Sequence, residues 1–259
     1  MKKKYFFFDI DGTLTDRATG KIVPSASLAV EKLKEAGHFV AIATGRAFYK
    51  SVPFAREHLF KNMVCNGGHG IYLNGELVEN RPIDFEKALA VYREARSLGY
   101  GVGVAIDDST RMVMDSFDFY DQAGERREPT LYTIDHDFDP ANLDAIYKMY
   151  ISIPRDEEDR LTLIDTVGHL RFEEDYLIFQ PDAKLGGILR MLELVGGNRE
   201  DVVVFGDDTN DMVMFDPSFF SVAMGNACDE LKAIASYVAP DNVDDGIYRT
   251  CEKMGWFAQ

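Results

Sequence analysis

The sequence has few cysteines, no long apolar run and little positive charge for its 259 residues. Its three cysteines include no Cys-x-x-Cys pair, so we expect reduced thiols, as in a cytoplasmic protein, rather than a disulfide framework. No apolar stretch approaches the roughly 18 residues that a membrane helix needs. The five histidines show no metal-ligand spacing, which disfavours a zinc site. We therefore expect a cytoplasmic protein with no membrane association.

The charge balance is strongly acidic. The chain has 28 Lys and Arg against 44 Asp and Glu, a formal net charge of -16. Nucleic acids and anionic membranes bind chiefly through Lys and Arg, so neither is an expected partner. Because 46% of the residues are hydrophobic and 12% aromatic, the chain can bury a substantial core. This composition excludes a disordered protein.

Short apolar runs alternate with helical patterns near both ends of the chain. Buried strands are predicted at Tyr5–Phe8, Phe39–Ala43, Met63–Cys65 and, after residue 181, at 201–205. Helices are predicted over 24–36, 47–59 and 185–195. Pro53 is predicted to kink or restart the second of these helices. The alternation predicts an α/β fold with a doubly wound, mostly parallel sheet, that is, a Rossmann-like core.

The middle of the chain has a different pattern. A helix is predicted over 85–98, with paired strands over 101–106 and 111–115 and two more strands near 147–154 and 176–180. The segment 124–140 is rich in charged and turn-forming residues and is predicted to be a mobile loop. Arg81-Pro82 and Gln180-Pro181 bracket this part and favour extended linkers. We therefore predict an inserted α/β domain over 82–181 within a core made of 1–81 and 182–259.

Two carboxylates follow the first predicted strand. Asp9 and Asp11 are two residues apart, which places both on one side of an extended chain. Close carboxylates repel each other unless a cation or a shared proton relieves them. A polar turn would be the structural alternative, and an EF-hand is excluded because Gly12 is at the wrong position. The residues Gly-Thr-Leu-Thr that follow make the functional interpretation the stronger one.

Three further groups follow predicted strands or begin helices. Thr44-Gly45 can present a hydroxyl and backbone N–H groups to an anion, although most such pairs are helix caps. Lys184 lies at a predicted helix start, where a lysine is usually solvated unless a phosphate binds nearby. The segment Gly206–Asp211 holds three acids and an asparagine, which suit a hard cation such as Mg²⁺, with a solvated loop as the alternative. Ligands of open α/β sheets bind beyond the carboxyl ends of the strands, so these loops should converge.

These motifs resemble those of a known family. Asp9–Thr15, Ala43–Arg46, Lys184 and Gly206–Asp211 are similar, in chain order, to the four motifs of the haloacid dehalogenase superfamily of aspartyl-phosphate phosphatases. Cys65-Asn66-Gly67-Gly68 and the place of the insertion resemble the Cof-type sugar-phosphate phosphatases with a type IIB cap. The motifs cover 1–80 and 182–259, whereas the cap matches only in position and length. Leu185 separates Lys184 from the glycine that usually follows it directly in the family.

The resemblance implies a role for each motif residue. Asp9 would be the nucleophile that forms an acyl phosphate, and Asp11 would be the general acid and then the base that activates water. Mg²⁺ would bind the carboxylates of Asp9 and Asp207 and the backbone carbonyl of Asp11. The implied phosphate-binding groups are the Lys184 ammonium, the Thr44 hydroxyl, the N–H groups of Ile10 and Gly45, and Asn210. The implied supporting residues are Asp211, which would orient Lys184 or a coordinated water, Arg46 and Asn66.

Three functions fit this resemblance. The first is Mg²⁺-dependent hydrolysis of small phosphorylated metabolites, such as sugar phosphates, by a monomer or weak homo-oligomer. The second is a phosphotransferase of the phosphomannomutase type, which hands the phosphate to a sugar. The third is a catalytically silent phospho-ligand sensor, which the intact Asp9 and Asp11 pair disfavours. The inserted domain is expected to close over the substrate and set specificity.

Overall fold

The chain divides into two compact units. The computed structural model describes residues 2–171 and 173–257. One unit contains the chain up to Asn80 and from Ala183 onward, and the other is Arg81–Asp182. Each predicted domain boundary lies one residue away from these limits. An insertion between two halves of one unit is therefore the chain's organisation.

The strands and helices alternate through most of the chain. The strands are β1 (Tyr5–Phe8), β2 (Phe39–Ala43), β3 (Met63–Cys65), β4 (Gly70–Leu73), β5 (Glu76–Asn80), β6 (Val102–Ala105), β7 (Arg111–Met114), β8 (Leu131–Ile134), β9 (Lys148–Ile151), β10 (His169–Leu170), β11 (Leu177–Phe179), β12 (Val202–Gly206), β13 (Phe220–Ala223) and β14 (Tyr237–Val238). The α-helices are α1 (Pro24–Glu35), α2 (Phe48–Glu57), α3 (Phe85–Ser97), α4 (Asp118–Ala123), α5 (Lys184–Val195), α6 (Asp229–Ile234) and α7 (Gly246–Lys253). Among the residues described, none of these helices has the length and apolar character to cross a bilayer.

The first unit is built on an eight-stranded sheet. Its strand order is β14-β13-β12-β1-β2-β3-β4-β5, and neighbouring strands from β14 to β3 are parallel. The last two strands pair antiparallel at one edge. This order confirms the predicted doubly wound, mostly parallel α/β fold.

Strand β1 shows why this sheet is covered on both faces. Its four side chains are all buried, and alternate residues belong to different hydrophobic clusters. Phe6 and Phe8 pack with Leu33 of α1 and with Trp256. Tyr5 and Phe7 belong to the opposite cluster, which contains the following residues of α5: Ile188, Met191 and Leu192. The period of two thus distributes an uninterrupted aromatic run between two helical layers.

The antiparallel edge of this sheet is a hairpin that the sequence analysis did not predict. Strands β4 and β5 are joined through Asn74 and Gly75, which both have positive φ values, 55° and 92°. Asn-Gly is the residue pair that tight hairpin turns favour, because both central residues of such a turn need positive φ. The signal was therefore present in the sequence.

The second unit has a six-stranded sheet of its own, in the order β10-β11-β9-β6-β7-β8. Alternation again separates two clusters. Met149 and Ile151 of β9 pack on the side of helix α3, while Tyr150 packs with Phe119 of α4. Strand β6 pairs antiparallel with β7, as predicted for the two segments.

One local prediction is wrong. The segment 124–140, predicted as a mobile loop, contains β8, which pairs parallel with β7. Tyr, Thr and Ile of this strand are strong strand formers, and the charged neighbours on either side masked them. Helix α2 contains Pro53 in its interior, so of the two predicted effects of this proline the restart does not occur. Val52 and Phe54 of this helix pack against the first unit's core, so tertiary packing outweighs the local cost of the proline.

His38 links the start of β1 to the end of the chain. Its ring is buried, and Nδ1 accepts a hydrogen bond from the Lys4 N–H at 3.1 Å. Its Nε2 lies 3.0 Å from the carbonyl oxygen of Trp256, so Nε2 carries the proton and the ring is neutral. Burial lowers the pKa of His38 below its ordinary value of 6.5, although the Trp256 carbonyl opposes that shift.

We expect His38 to make stability depend on pH. Because the pKa is lower in the folded state, the unfolded chain takes up the proton first, and the contribution to stability is lost as the pH falls through 6.5. Urea unfolding of the wild type and His38→Gln, which removes the titration, is measured from about pH 7.5 to about pH 5.5. The wild-type free energy of unfolding should fall more steeply over this range. Parallel curves for the two proteins would contradict this assignment.

Candidate active site

The predicted functional loops follow three neighbouring strands. Asp9 comes directly after β1, Thr44 directly after β2, and Asp207 directly after β12. These strands are adjacent and parallel, so their carboxyl ends lie at the same edge of the sheet. The parallel pairing of β1 with β12 extends to Asp9, because the Asp9 N–H donates a hydrogen bond to the Phe205 carbonyl at 3.0 Å.

A buried lysine joins two of the carboxylates. Lys184 is 2% exposed, and its Nζ lies 2.8 Å from Oδ1 of Asp9 and 2.5 Å from Oδ1 of Asp211. Helix α5 begins at Lys184, one residue before its predicted start. Two of the sequence motifs therefore meet at one ammonium group.

Both carboxylate oxygens of Asp211 are held by hydrogen bonds. Its Oδ2 accepts the N–H groups of Asp207 and Asp208 at 2.9 and 3.2 Å, while Oδ1 accepts from Lys184. The Asp211 side chain is fully buried. Together with Asp208 it forms a capping box at the start of a short 3₁₀ helix, Thr209–Met214. Asp211 thus fixes both the Lys184 ammonium and the loop that carries Asp207.

Burial raises the pKa of Asp9, the candidate nucleophile, to about 8. The Asp211 charge adds to this shift, and Lys184 opposes it. Burial also raises the pKa of Asp207 to about 6, against a hydrogen bond from Thr13. For Lys184, burial lowers the pKa, but the charges of Asp211 and Asp9 together outweigh it and the net shift is upward. Burial, more than the neighbouring charges, therefore raises the pKa values of Asp9 and Asp207.

Two glycines permit close approaches around these groups. Gly12 has φ +88°, and a Cβ there would lie 2.2 Å from Oδ2 of Asp207. Gly68 has φ +104°, and its Cβ would lie 2.0 Å from the Ala183 carbonyl oxygen. The second approach brings the Asn66-Gly67-Gly68 turn against the start of α5, where the Ala183 N–H donates to Gly67 at 2.7 Å. Backbone without side chains is thus required on both sides of the site.

The predicted anion-binding groups line the same strand edge. The Thr44 hydroxyl is buried and accepts the Arg46 N–H at 3.2 Å. Within residues 2–171 and 173–257, the N–H groups of Ile10 and Gly45 meet no acceptor. Asn210 is half-buried, and its side chain makes no hydrogen bond to any residue that the structure describes. These donors are available to a bound ligand.

Arg46 and Asn66 have more structural surroundings. Arg46 forms a two-pronged ion pair with Asp11, whose side chain is 57% exposed. The Asn66 N–H donates to the Arg46 carbonyl at 2.7 Å, and its side-chain amide donates to Asn80 at 3.3 Å. Arg46 therefore positions the Asp11 carboxylate, and Asn66 supports Arg46 through the backbone.

The donor set fits a hard divalent cation. Carboxylate oxygens of Asp9, Asp207 and Asp211 lie within 4.8 Å of one another, and all three residues are buried. The Asp11 carbonyl oxygen, which the resemblance implied as a ligand, accepts no hydrogen bond from the described residues. Buried carboxylates need a compensating charge, and oxygen ligands with a compact geometry favour Mg²⁺. The residues present therefore suit such an ion.

Comparison with known proteins agrees with this geometry. A family profile described as haloacid dehalogenase-like hydrolase matches residues 6–250. The chain belongs to the haloacid dehalogenase-like hydrolases. Phosphoglycolate phosphatase 1 of Saccharolobus solfataricus is 27% identical over 97% of this chain and 95% of its own length. Pyridoxal phosphate phosphatase YbhA of Escherichia coli is 27% identical over 95% and 97%.

A solved structure extends the likeness to the whole fold. A sugar phosphatase of subclass IIB in the same superfamily superposes with a TM-score of 0.78, at 23% identity, over 98% of this chain and all of that one. This likeness confirms the predicted fold, and the family profile confirms the predicted haloacid dehalogenase-like, Cof-type family. With phosphatases among its full-length relatives, the chain is a phosphoric monoester hydrolase of this family.

The sequence analysis missed two side chains of this haloacid dehalogenase-like site. The Thr13 hydroxyl donates to Oδ1 of Asp207 at 2.8 Å, and the Arg17 guanidinium contacts Oδ2 of the same carboxylate at 2.7 Å. Thr13 lies within a motif that had been identified, so its involvement could have been expected. Arg17 lies outside the motifs, and nothing in its neighbourhood signalled a contact 190 residues away along the chain.

We expect Lys184→Met to destabilise the protein. The variant leaves Asp9 and Asp211 buried without their cation, and breaking such a buried pair costs about 3–5 kcal/mol. The loss in the free energy of unfolding is measured by urea denaturation in chelated buffer. It should be smaller at lower pH, because protonation of either carboxylate relieves part of the repulsion.

The matched control for this experiment is Lys253→Met. Lys253 is exposed and contacts only the side chain of Tyr237 among the described residues, so its removal should change stability little. Equal urea midpoints for both variants and the wild type would show that Lys184 does not compensate buried charge.

Proposed function

We propose that this protein hydrolyses small phosphate monoesters, sugar phosphates among them, through a covalent phosphate on Asp9. The observation that carries the proposal is the buried Asp9 carboxylate, held by Lys184 at 2.8 Å and next to the Asp207 and Asp211 carboxylates. A carboxylate at the protein surface needs neither burial nor a fixed lysine. A carboxylate that attacks a phosphate dianion needs a fixed position and nearby positive charge, because phosphoryl transfer depends on positioning and charge neutralisation.

Asp9 is suitably oriented for attack. Its Oδ2 accepts the Asp11 N–H at 2.9 Å and its Oδ1 accepts from Lys184, so both oxygens are fixed. Attack by one oxygen on phosphorus expels the alcohol and gives an acyl phosphate. Water then attacks the phosphorus, the bond to Asp9 breaks, and inorganic phosphate leaves.

Asp11 is proposed to move the protons. It donates one to the departing alkoxide and, once ionised, removes one from the attacking water. Its carboxylate is exposed and near the nucleophile in sequence, but its ion pair with Arg46 belongs to the ionised form. Asp11 would therefore take up a proton from solvent and separate from Arg46 before it acts as the acid. An alcohol leaving group requires this acid, which supports ester hydrolysis as the reaction.

The phosphate oxygens are proposed to be bound by Lys184, Thr44, Asn210 and the N–H groups of Ile10 and Gly45. Both N–H groups have no acceptor within the described chain, and Asp211 holds the lysine in place. Donors fixed before substrate arrives stabilise developing charge without reorganisation.

Mg²⁺ is the proposed cofactor, held by Asp9, Asp207 and the Asp11 carbonyl. When bound, the ion would supply positive charge that keeps Asp9 ionised and neutralises the substrate phosphate. Asp207 is fixed for this purpose by Thr13 and by the loop that Asp211 supports. The overall charge of -16 does not prevent anion binding, because Lys184 and a bound cation would offset the negative charge of the carboxylates around the phosphate.

The first unit is proposed as the catalytic core and the inserted unit, Arg81–Asp182, as the part that selects substrates. The site residues discussed above all belong to the first unit. The named relatives act on phosphoglycolate and pyridoxal phosphate, which are both small phosphorylated metabolites. We therefore propose a substrate of this class.

The test of the reaction is phosphate release from a panel of phosphorylated metabolites, with Mg²⁺ and with a chelator, and without any added acceptor. We expect Mg²⁺-dependent release, and Asp9→Asn should lower it at least about 10³-fold. Asp244→Asn is the matched control, because Asp244 is an exposed aspartate of the same unit. Release that requires an added sugar would instead identify a phosphotransferase.

Asp11→Ala distinguishes the acid from the nucleophile. With p-nitrophenyl phosphate, whose leaving group needs little protonation, we expect a burst of p-nitrophenol about equal to the enzyme concentration and then slow turnover. With alkyl phosphates the first step itself should slow by about 10²-fold or more. Equal losses for both substrates and no burst would contradict the role proposed for Asp11.

Exchange of residues 81–182 for the matching segment of the pyridoxal phosphate relative tests the role of the inserted unit. The order of kcat/KM across the substrate panel should follow the exchanged segment, while dependence on Asp9 should remain. The reciprocal exchange is the control. An unchanged order of preference in active chimaeras would show that specificity lies in the first unit.

A further inference from the structure

Arg17 makes an unexpected contact with the proposed cation site. Its Nη2 lies 2.7 Å from Oδ2 of Asp207 and 2.7 Å from Oδ2 of Asp208, and its Nε lies 3.2 Å from the same Asp207 oxygen. The Arg17 side chain is 56% exposed, whereas that of Asp207 is 1% exposed. A largely exposed side chain thus contacts one of the three clustered carboxylates.

The turn that carries Arg17 is internally braced. Asp16 accepts the Ala18 N–H at 2.9 Å and the Thr19 hydroxyl at 2.9 Å. The Asp16 N–H donates to the Lys21 carbonyl, and the Gly20 N–H donates back to Asp16. The Arg17 guanidinium passes close to Gly12, where a Cβ would lie 2.4 Å from its Nε.

Both oxygens of Asp207 therefore have donors. Thr13 donates to Oδ1 and Arg17 to Oδ2. A neutral hydroxyl can remain on a carboxylate that also binds a metal, and it helps to orient that carboxylate. A guanidinium is different, because it places a full positive charge where a second cation has to bind.

The charges of the site give the direction of the effect. Five carboxylates, those of Asp9, Asp11, Asp207, Asp208 and Asp211, face three cations, those of Arg17, Arg46 and Lys184. When all are ionised, two negative charges remain, which one divalent cation neutralises. Loss of Arg17 would leave three negative charges, and the cation would bind more tightly.

We propose that Arg17 is a positioning residue that braces Asp207 and Asp208 before the cation binds and, by its charge, weakens the binding of that cation. This inference rests on the divalent-cation site proposed above. Arg17 stabilises the cation-free site at the expense of cation affinity.

The test is the binding of Mg²⁺ alone, followed by calorimetry and by the Mg²⁺-induced rise in thermal midpoint, in the wild type and Arg17→Gln. We expect Arg17→Gln to bind Mg²⁺ roughly three- to tenfold more tightly, because the lost charge is near but partly solvated. The difference should shrink as ionic strength rises. Without Mg²⁺, the variant should unfold at a lower temperature than the wild type.

Two variants complete the design. Arg17→Lys keeps the charge and should bind Mg²⁺ within about twofold of the wild type. Arg190→Gln is the matched control, since Arg190 is a partly exposed arginine of the same unit that also bridges two carboxylates, Glu79 and Glu193. It should leave the Mg²⁺ affinity unchanged.

The possible outcomes are distinct. Equal or weaker Mg²⁺ binding by Arg17→Gln overturns the role of Arg17, and so does a rise in KM for substrate without a change in Mg²⁺ affinity. The first result would indicate a structural brace alone, and the second a substrate contact. If the wild type binds no Mg²⁺, the proposed cofactor fails, and the inference about Arg17 fails with it.

Discussion

One buried ammonium group organises this active site. Lys184 lies between Asp9 and Asp211, and all three side chains are almost fully removed from solvent. Two ionised carboxylates could not be buried this close together without a cation, because the cost of desolvating each charge would exceed what hydrogen bonds return. The position of Lys184 at the first residue of α5 is therefore a structural requirement before it is a catalytic one.

The sheet explains why residues so distant in sequence can meet there. Asp9 and Asp207 follow strands that are neighbours in a parallel sheet, and the apolar run of β1 fixes that pairing by filling both hydrophobic layers. The helix that carries Lys184 packs on one of those layers through Ile188 and Met191. The distances within the site are thus set by packing at some remove from it, and the loops themselves need little regular structure.

The sequence allowed much of this arrangement to be predicted, for physical reasons that differ between residues. Asp9 and Asp207 could be predicted as site residues, because polar residues directly after buried strands must lie at the strand ends. Arg17 was not, because its contact depends on how a surface turn folds back over Gly12. Strand β8 was missed because its pairing with β7 outweighs the polar composition around it. Long-range contacts and tertiary pairing are what local patterns do not encode.

The two cations around the acidic cluster have different consequences because their burial differs. Lys184 is buried, so its charge acts at low dielectric, and water could not solvate the two carboxylates if the lysine were removed. Arg17 is half exposed, so solvent screens it and its side chain can move aside at modest cost. The proposed site, with a fixed nucleophile and an exchangeable divalent cation, would need both kinds of compensation. Lys184 of α5 would supply the first from the interior, and Arg17 would supply the second from the surface.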